Sequence, residues 1–198
     1  MRKLIVSMFV TVDGFIAGPN GELDWMPGNG TPDTEVDAHM DRLFDTVDTM
    51  VLGRATYQLF ADFWPTATTT DDPVADKLNS TPKVVFAPSL EMVEWGKWNN
   101  ARLATGSAVD EIQKLKQQPG KDVVIFGGAT LVQSFTALGL IDEYQLFLVP
   151  VLLGGGKLLF TTFEERVKLR LWKTEMFSSG VVLLTYSLDK KHPSPNGT

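Results

Sequence analysis

The run Thr49-Met50-Val51-Leu52 passes directly into Gly53-Arg54-Ala55-Thr56-Tyr57. An apolar stretch that breaks on a glycine and resumes with helix-compatible residues reads as a buried strand, a turn and a helix start. That order restricts the fold to sheets that carry helices on their faces. It also creates chemistry. A helix N-terminus leaves backbone N–H groups unpaired and carries partial positive charge, and glycine lets a phosphate approach the backbone closely. Arg54 adds a fork of donors suited to phosphate oxygens, and Thr56 adds a hydroxyl. The same junction recurs at Val123-Val124-Ile125-Phe126-Gly127-Gly128-Ala129-Thr130. Two phosphate-type junctions in one chain of 198 residues suggest a ligand with more than one phosphate, and a dinucleotide cofactor is the leading reading.

Length permits one full α/β domain with its own core. The formal net charge of −6 makes nucleic acid and anionic membranes poor partners, so an anionic cofactor must be held by local positive features. The absence of cysteine excludes a thiolate nucleophile, disulfides and cysteine-ligated zinc, and it fits a cytoplasmic location. No metal site is argued; the acids Asp41, Asp45 and Asp48 read as a solvated helix face and helix end. The longest apolar run, Leu146 to Leu153, is far below membrane-spanning length.

Along the chain, residues 3–12 are apolar on nearly both faces, which marks a central strand. Asp13-Gly14 turns out of it into a long loop. Pro32-Asp33 opens a helix through about Phe44, with Val36, Met40, Leu43, Phe44 and Val47 at helical spacing. Strands follow at 49–52 and 82–87, and a short one at 101–104. Helices are expected at 54–63, at 130–138, and from Ser107 as N-cap to Lys116. Asp122 to Phe126 is a strand. Ile141 to Val151 reads as a strand whose Pro150 implies an edge or a bulge. Residues 167–177 and 181–188, joined by Ser178-Ser179-Gly180, form a terminal hairpin. Alternating strands and helices followed by a hairpin predict a mostly parallel sheet with helices on both faces and an antiparallel edge. Residues 1–189 read as a single domain, and 190–198 as a disordered tail.

An ordered set of motifs runs through residues 1–189: Val12-Asp13-Gly14-Phe15-Ile16-Ala17-Gly18, Asp24-Trp25, Gly53-Arg54-Ala55-Thr56-Tyr57, Phe126-Gly127-Gly128-Ala129, and Gly139-Leu140-Ile141-Asp142-Glu143 leading into Pro150-Val151-Leu152-Leu153-Gly154-Gly155-Gly156. On these the chain resembles the dihydrofolate reductase-like superfamily. Within it, the chain is most similar to the reductase domain of the bacterial riboflavin-biosynthesis deaminase/reductase.

The resemblance implies a three-layer fold with a central sheet of about eight strands, NADPH as hydride donor, a small heterocyclic or riboflavin-pathway-like pyrimidine substrate, and a homodimer. It implies that Gly53, Arg54 and Thr56 meet the cofactor phosphates and that Gly127, Gly128 and Ala129 form a pyrophosphate loop. It further implies that the backbone of Ile16 and Ala17 lies against the nicotinamide and that Ser89 belongs to the region meeting the adenosine 2′-phosphate. Asp37 lies on the first helix sixteen positions before Gly53, where folate enzymes carry an acid that pairs with the pterin ring. By that likeness it is the catalytic candidate, with Glu35 and Asp33 as neighbours able to compete. His39 reads as a helix-face residue. The alternatives are a non-catalytic nucleotide-binding dimer and a true dihydrofolate reductase. A conventional dinucleotide-binding dehydrogenase is disfavoured because no G-x-G-x-x-G follows the first strand.

Overall fold

The structure, a computed structural model, describes residues 1–27 and 33–188. Among the described residues, ten strands and five α-helices follow one another: β1 (Leu4–Thr11), β2 (Phe15–Ala17), α1 (Thr34–Thr46), β3 (Val47–Gly53), α2 (Arg54–Phe63), α3 (Ala75–Ser80), β4 (Lys83–Phe86), β5 (Ala101–Leu103), α4 (Ala108–Gln117), β6 (Asp122–Phe126), α5 (Ala129–Ala137), β7 (Glu143–Val149), β8 (Lys157–Leu158), β9 (Leu169–Met176) and β10 (Val182–Leu188). A 3-10 turn, Trp64–Thr66, extends α2.

Eight strands form one sheet in the order β5-β4-β3-β6-β1-β7-β10-β9. The first six run parallel, and β10 and β9 are antiparallel to their neighbours. Helices cover both faces. On one, Leu4, Val6, Met8 and Val10 of β1 pack with Ile112 and Leu115 of α4 and with Val132 and Phe135 of α5. On the other, Met50, Leu52 and Val124 pack with Leu43 and Phe44 of α1 and Tyr57 of α2. Val36 of α1 joins Phe147, Val149 and Leu183 in a third cluster. Side chains buried to this degree contribute on the order of 1.5–3 kcal/mol each. The sheet is the three-layer, mostly parallel one with an antiparallel C-terminal hairpin that the sequence predicts.

Local chemistry sets the helix ends. Asp33 caps α1 by accepting from the Val36 N–H at 3.2 Å, and Ser107 caps α4 by accepting from the Asp110 N–H at 3.1 Å. Gly139, at φ +65°, closes the end of α5. Lys83 is buried at the start of β4. It donates to the Leu78 and Asn79 carbonyls at the end of α3 and sits over the Trp95 ring at 4.3 Å. Burial pushes its pKa down to about 7.

Three sequence expectations change. Pro150 lies just beyond β7, so it marks the strand's end, and β7 is internal between β1 and β10. The loop expected after β1 contains β2, which pairs with β8, and α3 falls in a stretch to which the sequence assigns no element. Both are too short to impose a period on the sequence. The acids Asp41, Asp45 and Asp48 are paired rather than merely solvated, the first two with Lys77 and the third with Arg2. Pro32 and the expected tail at 190–198 lie outside the described residues.

Candidate active site

Because β3, β4, β6, β1 and β7 are parallel, their carboxyl ends share one edge of the sheet. That edge brings the two strand–glycine–helix junctions together. Gly53 ends β3 and Gly127 follows β6, its neighbour. A Cβ built on Gly128 would stand 3.7 Å from the Gly53 Cα. A Cβ on Gly127 would stand 2.6 Å from Thr56 Oγ1 and 2.9 Å from its Cγ2, and Gly127 has φ +74°. Only glycine fits there, both by space and by backbone. Thr56 is buried, with its hydroxyl against this loop. The Gly127 N–H donates to Met8 Sδ at 2.9 Å.

Two of the helices that start at this edge, α2 and α5, differ from α1 and α4 in one respect. α2 and α5 begin on Gly53 and Gly128 and have no side-chain cap. Their first N–H groups are left for another acceptor, and Ala129 opens α5. Arg54, exposed at the head of α2, donates from Nη1 to Ser89 Oγ at 3.1 Å. Arg54 and Ser89 thus stand together beyond β3 and β4.

The β1–β2 loop is tied down by a residue that the site reading passed over. Asp13 accepts from Thr11 Oγ1 at 2.6 Å, from the Gly154 N–H at 2.7 Å and from the Leu153 N–H at 3.3 Å. The Thr11 hydroxyl bond comes first among the causes that lower its carboxyl's pKa. Thr11 in turn accepts from the Phe15 N–H at 2.9 Å. Ala17 pairs with Lys157, and a Cβ on Gly156 would stand 2.1 Å from the Ala17 carbonyl oxygen. Ile16 and Ala17 are therefore held by the loop after β7. The sequence signal was present in Asp13-Gly14 and in Gly154-Gly155-Gly156, but their mutual contact spans the chain.

Asp37, Glu35 and Asp33 separate clearly. Asp33 is used as the α1 cap, and Glu35 accepts from the Ser178 N–H at 2.6 Å in the hairpin turn. Asp37 is half-buried, and burial, then the charges of Asp72 and Asp33, raise its pKa. It is the one carboxyl of the three with no hydrogen bond assigned among the described residues. His39 packs edge-on to Phe147 and Phe177 and lies 3.6 Å from Glu175; burial lowers its pKa. Trp25 packs beside the Val36–Phe147 cluster. Among the described residues no group of three or more acids and histidines could hold a metal ion.

In open α/β sheets the carboxyl edge of the strands is where ligands bind, and here it carries two uncapped, glycine-started helices. The RibD C-terminal domain model matches residues 2–183. The chain belongs to the RibD C-terminal domain family, whose solved reductase domains have the dihydrofolate reductase-like fold. It is 36% identical to the uncharacterized protein YyaP of Bacillus subtilis, covering 93% of this chain and 94% of that one. It is 27% identical to the riboflavin biosynthesis protein RibD of Corynebacterium ammoniagenes over 74% of this chain, spanning 42% of that protein. Among solved structures, a provisionally assigned riboflavin biosynthesis protein from Shewanella sp. PV-4 matches with TM-score 0.75 and 28% identity, covering 96% of this chain and 100% of the other. The Thermotoga maritima deaminase/5-amino-6-(5-phosphoribosylamino)uracil reductase shares the fold, with TM-score 0.67 and 14% identity over 94% of this chain and 56% of that one.

Proposed function

We propose that residues 1–189 form one cytoplasmic, NADPH-dependent reductase domain acting on a small nitrogen heterocycle of the riboflavin-pathway pyrimidine type. The observation that carries this reading is the close approach of two uncapped junctions, Gly53-Arg54 and Gly127-Gly128-Ala129, where a side chain on Gly128 would touch the Gly53 backbone. A ligand with two adjacent phosphates meets both helix starts at once. The cradle fits the cofactor because a side chain at Gly127 would fill it. Arg54 and Ser89 supply the donors for a further phosphate on the adenosine side, which favours NADPH over NADH. Bound there, the cofactor supplies a hydride. The chain's own residues position it and exclude water. The β2 backbone at Ile16 and Ala17, braced through Asp13, forms the wall for the nicotinamide.

Reduction of a C=N bond places hydride on carbon and needs a proton on nitrogen. Asp37 is the residue proposed to provide or orient that proton, because a carboxyl with a raised pKa holds its proton nearer neutrality. The proposed assembly is a homodimer. β9 is one of the sheet's two edge strands and exposes Leu171, Trp172 and Met176, a combination that soluble proteins cover.

The test has two stages. Tryptophan fluorescence is followed during separate titrations with NADPH and NADH, where tighter NADPH binding is expected. Loss of reduced-nicotinamide absorbance is then followed with pyrimidine and dihydrofolate substrates, comparing wild type with Asp37→Asn. The variant should bind NADPH normally and lose at least about a hundredfold in turnover. An unchanged rate removes Asp37 from the mechanism. NADPH binding without turnover of any candidate leaves a nucleotide-binding protein instead. A light-scattering mass of one chain, 21.9 kDa, would refute the dimer.

A further inference from the structure

The terminal hairpin turns its apolar side toward a part of the sheet that the helices leave open. Side chains alternate between faces along a strand, so the register sorts them. On the α1 side, Leu183 of β10 is opposite Glu175 of β9, Thr185 opposite Lys173 and Ser187 opposite Arg170. Glu175 lies 3.6 Å from His39 of α1, which fixes the side. On the other side, Val182 lies between Leu148 of β7 and Met176 of β9, and Leu184 between Leu146 and Thr174. Tyr186 lies between Tyr144 and Leu171, and Leu188 is opposite Leu169. None of these positions carries a charge.

In an antiparallel hairpin with one wet face, the apolar face is the one built to be buried. The helices on that side, α4 and α5, pack over β6 and β3. The segment after β8 reaches the Tyr144 end through Phe160. The remainder is open. Met176 is 81% exposed and Leu171 48%, and Leu146, Leu148, Val182 and Leu184 are half-buried. The chain holds no further segment suited to covering it. The residues after β10, from Asp189 to Thr198, contain no apolar side chain except two prolines, and residues 28–32 read Gly-Asn-Gly-Thr-Pro.

We infer that this β7-β10-β9 face packs flat against the same face of a second copy of the chain, related by a two-fold axis. The inference deepens the homodimer proposed above by assigning its interface to the sheet face rather than to the free edge of β9. Three strands, each about 23 Å long and about 4.8 Å apart, present on the order of 600 Å² per chain once side-chain relief is included. Two copies then bury about 1,200 Å², the lower bound of a stable specific interface. Sheet faces pack on one another about 10 Å apart, and a two-fold axis sets each patch against its own equivalent. Charge points to the same occupant. Two chains of net charge −6 repel, and a face without acids is where they can approach. That net charge disfavours an anionic membrane as the cover, and an uncharged patch offers nothing to a strongly basic or acidic partner.

The experiment measures the mass of the full chain by light scattering across a dilution series, with far-UV circular dichroism as the check on folding. Wild type should give twice 21.9 kDa at micromolar concentration. Leu184→Glu and Met176→Glu each place a charge in the packed face and should weaken the dimer at least about a hundredfold. Arg170→Glu puts the same charge on the opposite face of β9 and should leave the dimer intact. Because β10 is internal, an interface formed by edge pairing of β9 would tolerate Leu184→Glu. A folded Leu184→Glu that remains dimeric therefore overturns the inference, as does dissociation by Arg170→Glu. If Leu184→Glu does not fold, Met176→Glu decides, since a side chain this exposed has little folding role: a dimer there overturns the inference. A wild-type monomer is a different result, which removes the homodimer and this interface together.

Discussion

The two ends of the parallel strands are built on opposite plans. At the amino edge, polar groups are paired across the chain. The Arg2 guanidinium pairs with Asp48, donates to the Lys121 carbonyl, and reaches Thr49 Oγ1 at 2.8 Å. Asp48 also accepts from the Lys121 N–H, Asp122 from the Lys3 N–H, and Asp142 from the Leu4 N–H. An open recess of about 600 Å³ lies over this network, lined by Arg2, Lys116 and Asp122, which have partners, and by Gln117, Gln118 and Gly120. At the carboxyl edge, two helices start on glycine with no cap, and Arg54 is exposed. Satisfied groups hold a fold together, whereas unsatisfied donors on rigid elements are what a ligand can use. The smaller acid cluster follows the same logic: Asp33 and Glu35 have partners, and Asp37 is left over.

If the amino edge serves stability alone, breaking it should cost folding and spare the ligand. Asp48→Ala strands the buried Arg2 charge and should lower stability by about 3 kcal/mol, seen in urea unfolding. NADPH affinity of the folded fraction should stay at the wild-type value. A fall in affinity with no loss of stability would reverse the roles assigned to the two ends.

Gly127→Ala tests both plans at once. The added Cβ collides with Thr56 and forces an alanine to a positive φ, so a stability loss of about 2 kcal/mol is expected. Unlike Asp48→Ala, it should also abolish measurable NADPH quenching. Normal binding in this variant would move the cradle elsewhere.

Arg54→Ala is the converse of the first change. It removes charge-assisted hydrogen bonds of about 1.5–3 kcal/mol, and NADPH should bind tenfold or more weakly. Because Arg54 is exposed, the urea midpoint should hold within about 0.5 kcal/mol of stability.

The smallest effect concerns a residue at neither end. His39 is held neutral by burial against Phe147 and Phe177, so its folded pKa lies below the unfolded value of about 6.5. The unfolded chain therefore takes up the proton first. Stability is complete above that value and declines as pH falls through it toward the folded pKa. Replacing His39 by Phe should flatten the acid limb of a stability–pH curve below about pH 6.5. A wild-type curve of the same shape as the variant's would exclude His39 as its source.

Much of this was legible in the chain. Continuous apolar runs named the central strands, Ser107 and Gly139 marked helix ends, and Gly53-Arg54 and Gly127-Gly128 each declared a junction. These are local signals, because a cap, a turn or a buried strand is specified within a few neighbouring residues. Internal β7 reads from sequence as an edge or bulged strand because Pro150 sits one residue beyond it, and sequence does not say on which side of a boundary a proline falls. β2, β8 and α3 left no periodic trace. The sequence by itself determined that the protein would be a layered α/β sheet with two anion-ready helix starts. Only the tertiary structure decided that those starts touch, that Asp13 braces the loop after β7, and that Glu35 and Asp33 are spent while Asp37 is not. Each of those facts is a contact between residues far apart in the chain, created by the strand order that places β6 beside β3 and β7 beside β1.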